Sequence, residues 1–204
     1  MLPERIFFTG VPGSGWSVIS QIIEAIPGMN TSDRHTSRQY THASGATHVG
    51  AYFGEKMEYS LDLGVENLDS PWIEDGGCRL IKSHDWAFCL DEIKYRYPTA
   101  WILLIYRNTE LSFTHWIDAG GFDISYPNYQ AYIDSPTMLT KIMQQNAAIL
   151  EFGQQHNAEW KNLTTSWIEK NFNRTLPDSD VAKYASKFVN NDTTINITSN
   201  VSLM

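Results

Sequence analysis

Residues 7–19 read FFTGVPGSGWSVI and predict a strand, a glycine-rich turn and the start of a helix. Gly10, Gly15 and Ser17 have the spacing of a phosphate-binding P-loop, although Trp16 occupies the position of its usual lysine. In such a loop the backbone N–H groups converge on an anion, and the N-terminus of the following helix adds a favourable dipole. The stretch therefore predicts an anion-binding loop. The missing lysine argues against ATP or GTP, because that lysine reaches their β- and γ-phosphates.

The composition is that of a globular protein with an acidic balance of charge. The chain has 204 residues and a net charge of −8, with 42% apolar and 19% charged residues. Nucleic acids and anionic membranes need a basic surface, so neither is an expected partner. No signal-peptide run or membrane-spanning stretch is recognisable, and we expect a cytoplasmic protein. Cys78 and Cys89 fit no metal motif and are expected to be buried thiols.

The apolar pattern predicts strands that alternate with helices. Continuous apolar runs such as WILLIY are typical of strands buried on both faces of a parallel sheet, and apolar residues three and four apart predict helices. The predicted strands are Arg5–Thr9, Arg79–Ser83 and Trp101–Tyr106, and the predicted helices are Ser17–Ile26, Asp91–Tyr97 and Asn108–Ile117. This alternation indicates an α/β fold of three layers, with a central, mostly parallel sheet flanked by helices.

Three other segments complete the prediction. Residues 30–54 are polar without a clear period and predict a long irregular loop. After Pro136 the pattern is mostly helical to about Val189, and residues 190–204 are expected to form either a frayed tail or an added edge strand. No repeat or linker divides the chain, so residues 1–204 are expected to form a single domain.

Histidines within and beside the polar loop offer a possible metal site. His35, His42 and His48 are spaced seven and six residues apart. No carboxylate or cysteine completes a ligand set beside them, and histidines in loops are usually solvated. We therefore expect no metal at this position.

A second candidate site is IKSHDW, residues 81–86, at the end of a predicted strand. Strand ends of an α/β sheet face the ligand crevice, and alternate residues of a strand share a face. Lys82 and His84 are therefore predicted to point into one site. Histidine is the usual general base near neutral pH, and lysine can neutralise a developing anion.

A third candidate site begins where the most apolar predicted strand ends. Arg107 follows that strand and precedes a predicted helix, in the stretch LIYRNTELSFTHW. An arginine there is suited to a bidentate grip on a phosphate. The alternative is an arginine that is held to the sheet by a carboxylate.

In this order, the three sites resemble those of the sulfotransferases that use PAPS (3′-phosphoadenosine 5′-phosphosulfate). The resemblance implies a P-loop-like fold and a loop that holds the 5′-phosphosulfate. It also implies that His84 is the acceptor base, that Lys82 assists transfer, and that Arg107, followed by Asn108, binds the 3′-phosphate. His115 occupies the position of a serine that completes that phosphate site. The residues that the resemblance assigns to nucleotide binding are Pro12, Gly13, Ser14, Gly15, Trp16, Ser17, Arg107 and His115.

The chain departs from the family pattern at three of these positions. Gly13 stands where the family has a lysine or arginine, Trp16 stands where it usually has a threonine, and His115 replaces the serine. Lys82 could supply the charge that Gly13 lacks. Trp16 either stacks on the adenine or packs beneath the loop, and packing is the preferred interpretation.

The resemblance implies transfer of a sulfuryl group from PAPS to a hydroxyl or amine of a small-molecule or glycan acceptor, with release of PAP and no metal. One alternative is a relative of the P-loop kinases and NTPases, which would need a magnesium-binding carboxylate at a strand end where Arg107 stands. Another is a non-catalytic nucleotide-binding protein with the same fold. Gly13 and His115 are the features that favour this second alternative.

Overall fold

The strand before the glycine loop, β1 (Arg5–Gly10), lies in the interior of a six-stranded sheet. The computed structural model describes residues 2–41, 47–123, 133–158, 160–162 and 196–199. The other strands are β2 (Met29–Asn30), β3 (Gln39–Thr41), β4 (Thr47–Val49), β5 (Cys78–Lys82), β6 (Trp101–Tyr106), β7 (Lys161–Asn162) and β8 (Asn196–Ser199). The helices are α1 (Trp16–Glu24), α2 (Val65–Asp69), α3 (Leu90–Arg96), α4 (Thr109–Asp118) and α5 (Ser135–Gln155).

Four strands form the parallel part of the sheet, in the order β2-β5-β1-β6. Most of their apolar residues are buried, and Ile6, Phe7 and Phe8 of β1 have no exposed surface. Burial on both faces explains why β6 reads as a continuous apolar run rather than as an alternating pattern. The carboxyl ends of β5, β1 and β6 therefore lie side by side, which brings the segments that follow them to one edge of the sheet.

Helices cover both faces of the sheet. Phe8 stacks on Trp16, the first residue of α1, with ring centroids 5.7 Å apart. Phe7 contacts Tyr97, which follows α3, at 5.2 Å. Neighbouring residues of a strand point to opposite faces, so α1 and α3 lie on opposite sides. This arrangement confirms the predicted α/β fold.

α4 and α5 begin at residues that cap their first turns. The Asn108 side chain accepts hydrogen bonds from the backbone N–H groups of Glu110 and Leu111, and Asp134 accepts one from Thr137. Such caps satisfy N–H groups that have no acceptor within the helix. α5 packs against α4, β6, β1 and the 3₁₀ turn Asp85–Phe88. α5 therefore contacts the segment that follows β5 and the segment that follows β6, the two strands on either side of β1.

Several segments differ from the sequence-based expectation. The polar loop contains an antiparallel pair, β3 with β4, and the backbone N–H of Phe53 donates to the carbonyl of Lys82 at 3.1 Å. The long helical expectation is wrong beyond α5, because residues 161–162 form β7. The remainder of that prediction, residues 163–189, lies outside the described residues.

The polar tail contributes a strand to the sheet. β8 pairs antiparallel with β6 on one side and with β7 on the other. The added-strand expectation is therefore confirmed for residues 196–199, although β7 and not β8 forms this edge of the sheet. Within the described ranges, no helix combines the length and the apolar character needed to cross a membrane.

Candidate functional site

The glycine loop turns directly from β1 into α1. The N–H of Ser14 donates to the carbonyl of Val11 at 3.0 Å, and Gly15 precedes α1 in a left-handed conformation with φ 85°. The first helical N–H groups have no acceptor within the helix, and no side chain caps them here. Ser14 is buried, and its hydroxyl has no hydrogen-bond partner among the residues that the structure describes. The start of α1 therefore has N–H groups that no side chain caps, beside a buried hydroxyl without a partner in the described part of the chain.

Gly13 is held against α4. Its φ is +76°, and a Cβ atom added there would lie 1.9 Å from the carbonyl oxygen of Ser112. A residue with a side chain would meet both the unfavourable left-handed backbone and this contact. The loop therefore packs too closely on α4 for any side chain at residue 13.

Arg107 and His115 meet at the carbonyl of Gly13. Arg107 Nη1 lies 2.8 Å from the Gly13 oxygen and 2.7 Å from His115 Nδ1, and this Nδ1 lies 3.0 Å from the same oxygen. Arginine only donates, so Nη1 donates to the Gly13 oxygen, and His115 Nδ1 either accepts from Nη1 or, when protonated, donates to the same oxygen. The Arg107 Nε is buried and has no partner among the described residues. Burial lowers the pKa of Arg107, but an arginine remains charged at neutral pH.

Trp16 packs in the core beneath the loop. Only 4% of its surface is exposed. Its ring lies between Phe8 and His84, with centroids 5.7 Å and 4.1 Å away, and meets Tyr52 edge-on at 5.5 Å. These contacts hold the indole beneath the loop. They match the packing interpretation rather than adenine stacking.

His84 is buried beside the loop, on the opposite side from Arg107. Its Nδ1 lies within hydrogen-bonding distance of the carbonyl of Gly10, the last residue of β1. A carbonyl only accepts, so Nδ1 carries the proton and Nε2 carries the lone pair. Burial lowers the pKa of His84 to about 4. The imidazole is therefore neutral at neutral pH, with its tautomer fixed by the loop.

Lys82 lies on the α1 face but away from the loop. Its Nζ is 2.7 Å from Glu24 Oε1 and 5.3 Å from the centroid of the Tyr52 ring. Glu24 also forms an ion pair with Arg34. α1 rises about 1.5 Å per residue, so roughly 12 Å along its axis separate Glu24 from Trp16. The structure thus pairs the Lys82 ammonium with the last residue of α1.

A second acid completes the surroundings of Lys82. Asp33 is buried and accepts a hydrogen bond from the backbone N–H of Ala51 at 2.8 Å. A Cβ atom at Gly50 would lie 2.7 Å from Asp33 Oδ2 and 3.3 Å from Lys82 Nζ, so both charged groups lie beside this glycine. Burial raises the pKa of Asp33, and Lys82 opposes that shift. The charge of Lys82 is therefore balanced within the core.

The histidines of the polar loop do not assemble a metal site in the described part of the chain. His35 Nδ1 accepts a hydrogen bond from the N–H of Ser37 at 3.3 Å and so caps a 3₁₀ turn. His48 Nδ1 lies 3.5 Å from the hydroxyl of Tyr52, and His42 lies outside the described residues. No group of three His, Cys, Asp or Glu side chains is placed to hold a metal within these ranges.

Two buried amides on α5 were missed by sequence analysis. Gln145 and Asn146 lie on the core side of the helix, between the buried residues Ile142 and Ile149. Gln145 Nε2 donates to Asp85 Oδ1 at 3.0 Å, and Asn146 Nδ2 donates to the carbonyl of Arg107 at 2.8 Å. The spacing along the helix could have indicated that Gln145 is buried, because Gln145 lies three residues after Ile142 and four before Ile149.

The candidate site is therefore the glycine loop with a histidine on one side and an arginine on the other. His84 follows β5 and contacts Gly10, while Arg107 follows β6 and contacts Gly13. Pro12, Ser14, Gly15 and Ser17 belong to the same loop and helix start, whereas Lys82 is paired elsewhere. Comparison of the chain with protein-family models, with curated proteins and with solved structures gave no match.

Proposed function

We propose that the chain is a P-loop-like sulfotransferase that binds PAPS and transfers its sulfuryl group to a hydroxyl or amine. The observation that carries the proposal is the placement of His84 and Arg107, which contact the carbonyls of Gly10 and Gly13 from opposite sides of one loop. A base is needed on the acceptor side of the sulfur, and a cation is needed for the 3′-phosphate. The two flanking strands supply one group each.

The loop and α1 would hold the 5′-phosphosulfate. The unpaired N–H groups of the first turn of α1 favour an anion, and the buried hydroxyl of Ser14 is an available donor. Arg107 has five N–H protons, and contacts within the loop occupy its Nη1 group. Its remaining donors suit a bidentate contact with the 3′-phosphate.

His84 would act as the base. When bound, PAPS supplies the sulfuryl group and PAP is the leaving group. The Nε2 lone pair would take the proton that the acceptor loses as its oxygen or nitrogen bonds to sulfur and the bond from sulfur to the PAP oxygen breaks. A pKa of about 4 makes His84 a weak base in the ligand-free site. The negative charge of a bound phosphosulfate beside the ring would raise that pKa.

The geometry favours this proposal over a kinase or NTPase. A Walker loop uses its lysine to contact the β- and γ-phosphates. In this chain that position is Trp16, whose side chain is buried under the loop, and the nearby lysine, Lys82, is paired with Glu24. The acceptor would be a small molecule or a glycan, and we place the reaction in the cytoplasm.

A non-catalytic nucleotide-binding protein is the second candidate, and a specific contact favours it. The Lys82–Glu24 ion pair removes the lysine that would stabilise charge on the departing phosphate, and Gly13 cannot carry a side chain in this loop. If both features persist with nucleotide bound, donor recognition would remain while transfer would be slow.

Calorimetric titration with PAP, 5′-AMP and ATP–Mg²⁺ tests nucleotide recognition. PAP is expected to bind more tightly than 5′-AMP by roughly 1.5–3 kcal/mol, the contribution of a hydrogen bond to a charged group. Arg107→Lys keeps the charge but loses the bidentate geometry, so most of that difference should disappear. Arg96→Lys is the matched control, because Arg96 is half exposed on α3 and pairs with Glu92. Equal affinities for PAP and 5′-AMP would contradict the proposal.

Release of PAP from PAPS in the presence of a panel of phenols, sugars and amines tests transfer. His84→Gln should reduce turnover by about 10²–10⁴-fold, the usual contribution of a general base. Its effect on PAP affinity should be small, because the imidazole is neutral and faces the acceptor side. Selective PAP binding without transfer to any member of the panel would favour the non-catalytic candidate instead.

A further inference from the structure

Two consecutive amide side chains are buried in the middle of α5. Gln145 is 0% exposed and Asn146 is 2% exposed. Buried amides require hydrogen-bond partners, since removing them from water is otherwise unfavourable. Both of these side chains find their partners in segments that follow strands of the candidate site.

Gln145 reaches the segment that follows β5. Its Nε2 donates to Asp85 Oδ1, and Lys141 Nζ, one helical turn earlier, lies 2.9 Å from the same oxygen. The other oxygen of Asp85 accepts the backbone N–H of Glu55 at 3.3 Å. Asp85 comes directly after His84, so these contacts with α5 fix the position of the residue next to the proposed base.

Asn146 reaches the segment that follows β6. Its Nδ2 donates to the main-chain carbonyl of Arg107 and to Thr109 Oγ1 at 3.1 Å. Ser112 Oγ of α4 donates to the same carbonyl at 3.3 Å. The backbone at Arg107 is thus held from both α5 and α4, while its guanidinium extends to the loop.

The partners determine how the two amides are oriented. A carboxylate and a main-chain carbonyl only accept, so each amide must present its nitrogen to them. Gln145 Oε1 and Asn146 Oδ1 are consequently turned away, and both are buried without a partner among the described residues. An apolar side chain of similar size would fill the same space without leaving these two oxygens unsatisfied.

We propose that Gln145 and Asn146 are positioning residues that hold His84 and Arg107 in a fixed relation across the glycine loop. The inference rests on the proposed function and deepens it. Consecutive helical residues differ by about 100° and 1.5 Å, so one short segment of α5 reaches both strand ends. A displacement of α5 would therefore move the base and the phosphate-binding arginine together.

Two single variants test the contact of Gln145 with Asp85 and the contact of Asn146 with Arg107 separately. Gln145→Met should alter the NMR titration of His84 and lower turnover by up to about 10²-fold, the effect of a misplacement near 1 Å. It should leave the preference for PAP over 5′-AMP unchanged. Asn146→Leu should reduce that preference by about 10- to 100-fold, as is typical for residues that support a binding group. It should leave the His84 titration unchanged.

Gln144→Met is the matched control, because Gln144 is the neighbouring residue and faces solvent. It should change neither readout. The double variant Asp85→Asn/Gln145→Glu exchanges donor and acceptor, keeps a carboxylate beside Lys141 and should restore turnover lost in Gln145→Met. Such rescue separates positioning from a general loss of packing.

The outcomes distinguish this inference from the proposed function. If wild type does not prefer PAP over 5′-AMP, the proposed function fails, while the ligand-free NMR signals of His84 and of the Arg107 Nε–H still report positioning. If each variant disturbs both signals equally, in proportion to its loss of thermal stability, positioning is overturned and the amides only stabilise the core. A change of the His84 signal alone in Gln145→Met, and of the Arg107 signal alone in Asn146→Leu, supports the inference.

Discussion

Arg107 holds the glycine loop by donating from Nη1 to the carbonyl oxygen of Gly13, at 2.8 Å. The contact joins the residue that follows β6 to the loop that follows β1, which are neighbouring strands in the sheet. His84 makes the equivalent contact from β5, on the other side. A change in the conformation of the loop on anion binding would therefore alter the contacts of both Arg107 and His84.

Gly13→Ala should reduce the free energy of unfolding by about 2–5 kcal/mol, combining the left-handed backbone with overpacking against Ser112. Gly76→Ala is a matched control, because Gly76 has the same φ of +76° and nothing within 4 Å of an added Cβ atom. Urea denaturation of both variants measures the difference. Equal losses in the two would show that the contact with α4 does not restrict residue 13.

Trp16→Ala should reduce stability by about 3–5 kcal/mol, as expected for removal of a buried tryptophan. Its contacts with Phe8, His84 and Tyr52 would be lost together. Tyr95→Ala is the control for loss of an aromatic ring, since Tyr95 is 87% exposed. A Trp16→Ala protein that melts like wild type but binds PAP weakly would instead support stacking on the adenine.

His84 should make stability depend on pH. Burial lowers its pKa from 6.5 to about 4, so between these values the unfolded chain binds a proton that the folded chain does not. This contribution is complete above pH 6.5 and is lost as the pH falls towards 4, to a total of about 3 kcal/mol.

Urea unfolding at pH 7 and pH 5 measures how the free energy of unfolding changes with pH. His84→Gln can still donate to Gly10 but does not titrate, so its stability should change less between the two pH values. His35→Gln, at an exposed histidine, serves as the control. An unchanged dependence of stability on pH in His84→Gln would mean that the pKa of His84 is the same in the folded and unfolded chains.

The ion pair of Lys82 should be a structural contact. Lys82→Met leaves Glu24 buried with Arg34 as its one remaining ion-pair partner among the described residues, and should cost up to about 3–5 kcal/mol. Adding Glu24→Gln should recover part of this loss, since the uncompensated buried charge is then removed. A double-mutant cycle measured by denaturation gives the coupling between the two residues. Loss of PAP affinity in Lys82→Met with unchanged stability would instead indicate that Lys82 reaches the nucleotide.

The sequence was sufficient to predict the strands that carry the candidate site. β6 is a continuous apolar run, β1 and β5 contain shorter apolar stretches, and the parallel arrangement places their carboxyl ends together. That rule predicts His84 and Arg107 at the carboxyl edge of the sheet, whereas the order β5-β1-β6, which sets them on either side of the loop, is seen only in the structure. α4 begins at Thr109, one residue after its predicted start at Asn108.

Long-range pairing could not be predicted in the same way. Nothing local indicates that Lys82 meets Glu24, because both residues also fit an exposed position on their own elements. Gln145 and Asn146 are similar, since their partners follow β5 and β6. β8 reads NITS, a polar stretch too short for an alternating pattern to reveal a strand. Tertiary contacts, rather than local preference, decide these elements.

Insertion of β8 beside β6 has a consequence for how the chain reaches its native state. β6 is an edge strand until β8 pairs with it, although the two are far apart along the chain. Such non-local pairing forms slowly, and an unpaired apolar edge can recruit another chain meanwhile. A nascent or truncated chain that lacks residues 196–199 would therefore expose β6, the strand that leads into Arg107, as a site for aggregation.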